Sequence, residues 1–267
     1  MDTYELDAEL DSFRVEKDDG VARVTLDSGK ANPLSEKTLE ELFEASVAVN
    51  EDDDVRCVVL TGTGGFYCSG FDLSRLEGSD DDGAKLRRAV STFHDAVIQL
   101  HRGDAPVVTG VNGVAAGGGF GLALLGDVML MSEDARLEYA YSRIGLTGDG
   151  GSTFFLPRLV GLRRATEIAL LDRPVEADEA VEMGLATEAV SADKFDERLD
   201  ELAHKLAEGP TAAYGATKRL MARSFDRSLE EQLGAETEAM AEATHTEDYA
   251  EGIEAFFGDD KPEFEGR

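Results

Sequence analysis

The chain is 267 residues long and carries 56 Asp plus Glu against 26 Lys plus Arg, a formal net charge of −30. Acid spread this evenly over the chain argues against nucleic acid as a partner, and no apolar run approaches the ~18 residues of a membrane span. Two cysteines without framework spacing and four scattered histidines give no disulfide scaffold and no zinc pattern.

The N-terminal stretch MDTYELDAELDSF is acidic and lacks the basic and apolar regions of a signal peptide, so a cytoplasmic protein is expected. Residues 21–26, VARVTL, alternate and predict a strand. Leu39, Leu42, Phe43 and Val47 then recur at helical spacing over 35–50, with Ser35 as N-cap. An apolar strand over 55–60 breaks into a glycine-rich corner, TGTGGFYCSGFDL. Cys57 and Cys68, in and beside it, read as small buried thiols of a reducing compartment. Residues 79–84, SDDDGA, read as a solvated loop, and the following helix aligns Leu86, Val90, Phe93, Val97 and Leu100. Strand 107–111 meets a second corner, NGVAAGGGFGLALLGD, followed by a helix over 119–125 and a short strand over 128–131. From residue 193 the pattern is helical: 193–207, a Gly209-Pro210 break, 211–223, and segments within 228–257. The alternation predicts an α/β fold.

The two corners carry the chemistry. Three consecutive glycines, Gly117, Gly118 and Gly119, let main-chain N–H groups approach a ligand, and the helix behind them adds its positive end. A tight packing turn is the plainer alternative. Two such corners can aim two backbone N–H groups at one carbonyl oxygen, which makes an oxyanion hole. Nucleotide readings fit less well: there is no GxxxxGK[ST] loop, and the glycine spacing GGGxG differs from GxGxxG.

Three ordered motifs, Phe66-Tyr67-Cys68-Ser69-Gly70-Phe71-Asp72-Leu73, Asn112 to Gly119, and IGLTGDGGSTFFLPRLVG over 144–161, resemble the crotonase, or enoyl-CoA hydratase/isomerase, superfamily. The likeness runs from about Val21 to the C-terminal EDYAEGIEAFFGDDKPEF. It implies a spiral of ββα units over residues 1–192 that holds an acyl-CoA site. It also implies a C-terminal helical region, 193–267, that packs around the core and supports a homotrimer or dimer of trimers. The substrate would be an acyl-CoA thioester, with coenzyme A arriving on the substrate and no separate cofactor or metal.

Transferred residue by residue, the resemblance makes the backbone N–H groups of Phe71 and Gly118 the oxyanion hole. Ser69, Gly70, Asp72, Leu73 and Gly117 would lie along the substrate. The loop GKANPLS, residues 29–35, would grip coenzyme A, with Lys30 meeting a phosphate and Ala31 beside it. Lys30 as an ordinary solvated lysine is the equal alternative, and Lys218 or Arg219 of a neighbouring subunit are further candidates for the phosphates.

Two positions depart from the hydratase pattern. Gly121 and Tyr141 stand where hydratases of the family place their catalytic glutamates. Hydration needs one group for water and another for the α-proton, so the replacement candidate is Asp149, in GLTGDGGST. It matches the aspartate of the P-D-x-G isomerases of phenylacetyl-CoA breakdown. Asp149 as a plain turn residue is the alternative. The chlorobenzoyl-CoA dehalogenase branch shares a histidine at the register of His94 and an aspartate at Asp149, with a tryptophan in place of Tyr141. His94 is expected to line the pocket or pack beside it, and Tyr141 to form a wall with a usable hydroxyl.

Three functions remain open at this point: an enoyl-CoA isomerase with Asp149 as proton shuttle, a hydratase with an unusual acid pair, and an acyl-CoA-binding protein without catalysis. The acid on every helix and loop suits a surface built for high salt, where charge is screened within ~3 Å. An extreme halophile is the expected source.

Overall fold

The computed structural model describes residues 10–258 and 260–267. The reading of the extreme N-terminus as lacking leader features falls, for residues 1–9, outside them.

Phe13–Asp18 (β1) and Val21–Leu26 (β2) form an antiparallel hairpin. The two-residue strand Pro33–Leu34 (β3) leads into Glu36–Glu51 (α1), where Ser35 accepts the Thr38 N–H as the expected N-cap. Next come Cys57–Gly62 (β4), Phe66–Cys68 (β5), Gly70–Phe71 (β6) and the long helix Asp82–Arg102 (α2). The same order then repeats: Val107–Val111 (β7), Val114–Ala116 (β8), Gly118–Leu124 (α3). It repeats again as Val128–Ser132 (β9), Arg136–Glu138 (β10) and Ser152–Leu171 (α4), a helix broken at Gly161. Val175–Glu176 (β11), Ala177–Met183 (α5) and Glu188–Val190 (β12) close the sheets. Helices Phe195–Ala207 (α6), Thr211–Arg223 (α7), Leu229–Ala243 (α8) and Glu247–Gly258 (α9) follow.

From β4 onward, strands other than β6 are divided between two sheets. One has the order β1-β2-β4-β7-β9-β12, the other β11-β10-β8-β5, and β3 pairs with β6. The pairs β4/β5, β7/β8 and β9/β10 each place one strand in each sheet before the chain turns into a helix. This is the α/β fold that the alternation predicts, in the spiral of ββα units that the family resemblance implies.

The side-chain alternation of a strand divides the core. Val58 and Leu60 of β4 face the larger apolar cluster, with Leu39 and Leu42 of α1 and Phe93, Val97 and Leu100 of α2. Cys57 and Val59 face the other way, with Val108 and Leu130, onto Phe195, Leu199 and Ala203 of α6. Strand β7 is buried along its whole length, Thr109 included.

Several boundaries differ from expectation. The strand placed at 55–60 begins at Cys57, because the Arg56 and Cys57 N–H groups turn onto the Gly20 carbonyl. The helix placed at 119–125 starts one residue earlier. The segment 79–84 is only partly a solvated loop. Asp82 is buried, opens α2, and accepts the N–H groups of Glu77, Gly78 and Ser79 at 3.0, 2.7 and 3.2 Å. Those bonds lower its pKa against the opposing effect of burial. Strands β5, β8 and β10 are too short to show a period, and α4 was masked by its glycines.

Candidate active site

The first corner is held from behind by the 29–35 loop. The Asn32 amide donates to the carbonyls of Thr63 and Phe66 at 3.1 and 2.9 Å, and Ser69 N–H donates to the Ala31 carbonyl at 3.0 Å. Gly70 has a φ of +86°, and a Cβ there would lie 2.7 Å from the Ala116 carbonyl and 3.1 Å from the Gly118 nitrogen. Gly119 is as tightly placed, since its Cβ would sit 2.2 Å from the Cys68 carbonyl. These glycines allow the two corners to touch backbone to backbone.

That contact sets Gly70, the residue before Phe71, against the Gly118 backbone. Asp72 N–H donates back to the Leu34 carbonyl, so the N–H of the preceding Phe71 points off the other side of β6. Gly118 opens α3, where the first N–H groups have no partner within the helix. Phe71 and Gly118 both line a cavity of about 600 Å³, together with Ser69, Gly70, Leu73, His94, Gly117, Tyr141 and Asp149.

Above the corners sit three polar side chains. The Tyr141 hydroxyl donates to Asp149 Oδ1. The Gly150 N–H donates to His94 Nε2 at 3.2 Å. Burial pushes the Asp149 carboxyl up, opposed by the Tyr141 hydrogen bond and by His94. Burial and the Asp149 charge push the Tyr141 phenol up as well. Cys68 is buried beneath the corner, and its thiol is pushed up to about 12 by burial, so it is inert as a nucleophile.

Four of the expected site residues do not line the cavity. Lys30 is exposed, and Ala31 buttresses the corner only through its carbonyl. Asp72 caps the short helical turn Leu73–Arg75 by accepting Ser74 N–H at 3.0 Å, and the bonds from Ser74 hold its carboxyl below the usual range. It faces a neighbouring cavity of about 400 Å³ that also contacts Lys85 and Arg88. Gly121 is buried, and a Cβ on it would lie 2.8 Å from the Gly150 carbonyl and 3.0 Å from that of Asp149. The loop that delivers Asp149 thus occupies the space a glutamate at 121 would need. Lys218 and Arg219 are already paired within their own chain, with Asp127 at 2.7 Å and with Asp104.

No sequence pattern marks the brace behind Tyr141. Ala140 has a φ of +62°. Its N–H donates to Asp172 Oδ1 at 2.7 Å, while Asp172 Oδ2 holds Arg143 Nε at 2.7 Å and Glu138 takes Arg143 Nη1 at 2.5 Å. Arg143 and, from α2, Arg87 line the cavity with Leu86, Val90, Ile144 and Leu146. Arg143 and Ile144 fall at the edge of the third motif; Asp172 lies 32 residues beyond Ala140, which no local pattern reveals. Away from the cavity lining, Asp18, Asp19 and His204 bring potential ligand atoms within 4.8 Å of one another at the surface.

Residues 16–267 match the sequence profile of the family described as enoyl-CoA hydratase/isomerase. The 1,2-epoxyphenylacetyl-CoA isomerase of Escherichia coli is 34% identical over 93% of this chain and 96% of its own. The 4-chlorobenzoyl coenzyme A dehalogenase-2 of an Arthrobacter species is 35% identical over 81% of this chain and 79% of its own. The crystal structure of an enoyl-CoA hydratase from Bacillus anthracis superposes with a TM-score of 0.89 at 31% identity, covering 96% of this chain and all of that one.

Proposed function

The chain belongs to the enoyl-CoA hydratase/isomerase family, and within that family of acyl-CoA enzymes we propose that it is an enoyl-CoA isomerase. One observation carries the reading: among the described residues, Asp149 is the single carboxylate lining the cavity. A hydratase of the usual kind needs two. Similarity to the epoxyphenylacetyl-CoA isomerase and the isomerase-like register of Asp149 support the same reading.

In this mechanism the thioester oxygen of a 3-enoyl-CoA rests on the Phe71 and Gly118 N–H groups. Asp149 removes a C2 proton, and the electron pair passes through the thioester to give a dienolate. The negative charge lies on the oxygen, where each donor of such a hole contributes about 3 kcal/mol in the transition state. The same proton returns to C4, leaving the double bond between C2 and C3. Tyr141 engages one oxygen of Asp149, so the other is available to carry the proton.

Asp149→Asn keeps size and shape but removes the proton carrier. Turnover of a 3-enoyl-CoA to the 2-enoyl-CoA is expected to fall by ~10²-fold or more. Full turnover by the variant, followed as the rise in absorbance when the conjugated 2-enoyl thioester forms, would exclude Asp149 as the base.

A further inference from the structure

We propose that Tyr141 is a positioning residue that keeps Asp149 ionised and turns its second oxygen towards the bound acyl chain. The inference rests on the reading of Asp149 as the base and adds what sets the pH range over which that base works.

The geometry begins at Ala140, whose left-handed backbone is held by Asp172. Tyr141 follows in a short helical turn, Tyr141–Ile144, that Arg143 ties to Glu138 and Asp172. Its ring is buried and packs edge-on against Tyr139 at 4.9 Å, which in turn packs on Phe120 at 5.8 Å. A phenol fixed this way has little freedom to leave Asp149. The hydroxyl therefore donates to Asp149 Oδ1 from a rigid mount.

A buried carboxylate needs such a donor. Burial favours the neutral acid, which cannot accept a proton, and a hydrogen bond donated to the charged form opposes that. Of the other ionisable groups around Asp149, His94 acts in the same direction from a distance, while Tyr141 is the side chain that hydrogen-bonds the carboxylate. His94, from α2, spends Nε2 on the Gly150 N–H. Tyr139 and Cys68 face the carboxylate too, but burial raises the pKa of both and they stay neutral across the working range. Arg143 is committed to Glu138 and Asp172, and Arg87 reaches the cavity from the exposed side of α2.

Tyr141→Phe removes the hydroxyl and keeps the ring. The pH profile of kcat for a 3-enoyl-CoA, measured for wild type, Tyr141→Phe and Asp149→Asn, reads the effect. Turnover by Tyr141→Phe should approach wild type at high pH and fall below it about ten-fold or more at the acid end, with the acid limb displaced upwards. Carboxyl 13C titration of the substrate-free enzyme, with Asp149→Asn assigning the signal, should show Asp149 titrating at higher pH in Tyr141→Phe. A loss uniform across pH, or an unchanged Asp149 titration, would overturn the tyrosine's role while an impaired Asp149→Asn left the base in place. Full turnover by Asp149→Asn would remove the base itself, and this proposal with it.

Discussion

At the residue scale the site places an acid where acids are costly. Asp149 is largely buried, and its carboxyl is raised by that burial despite Tyr141 and His94. Because its folded pKa lies above its unfolded one, the native state binds this proton more tightly. Its contribution to stability is present at pH values below the unfolded pKa and is lost as pH rises through the folded one. Asp149→Asn cannot ionise and still accepts the Tyr141 hydroxyl. Its melting temperature minus that of wild type should therefore widen upwards through the acid range and then level off. A gap that is constant, or that narrows with rising pH, would contradict the burial argument. Stability given up at a site required for turnover is a common trade. At Gly118, a Cβ would meet Leu34 at 3.1 Å and then Phe93 and Phe71. A side chain there would push on the core behind the corner and reach the cavity only indirectly.

At the scale of elements, what could be read from sequence follows from length and period. Helices α1 and α2 and strand β7 were legible because their apolar positions repeat over many residues. The corners were legible because glycine runs have few other uses. Strands of two or three residues, such as β6 and β8, carry no period and exist because the spiral pairs them across long separations. The site shows the same division. Phe71, Gly118 and Asp149 sit in motifs and His94 on the periodic helix α2, and the structure gathers them around one cavity. Gly121, at a position where hydratases carry a glutamate, lets the Asp149–Gly150 backbone approach. Asp172, distant in sequence, and Glu138, close by but outside any motif, fix the Tyr141 turn and look like two more acids among 56.

For the whole molecule, the charge of −30 and the apolar surface of the last helices pull in opposite directions. Met221, Phe225, Leu229, Met240, Phe256 and Phe257 are each at least 66% exposed in the single chain. Apolar surface on this scale suits a contact between copies, and the family resemblance points to a trimer or a dimer of trimers. Bringing three such acidic chains together requires screening, which is nearly complete within ~3 Å at molar salt. Sedimentation in molar salt should give a trimer or hexamer, and dilution into low-salt buffer should dissociate it or loosen the fold. A monomer at molar salt would contradict the assignment of this surface. An assembly and melting temperature indifferent to salt would contradict the role of the charge.

The central claim, a single carboxylate that moves a proton rather than adding water, is tested most directly by the first product. Wild-type enzyme would be given a 3-enoyl-CoA in 18O-labelled water and the products followed by mass spectrometry from the earliest turnovers. The account predicts a 2-enoyl-CoA of unchanged mass, free of 18O. No conversion of the 3-enoyl-CoA, with rapid formation of an 18O-labelled 3-hydroxyacyl-CoA when a 2-enoyl-CoA is supplied in its place, would contradict it.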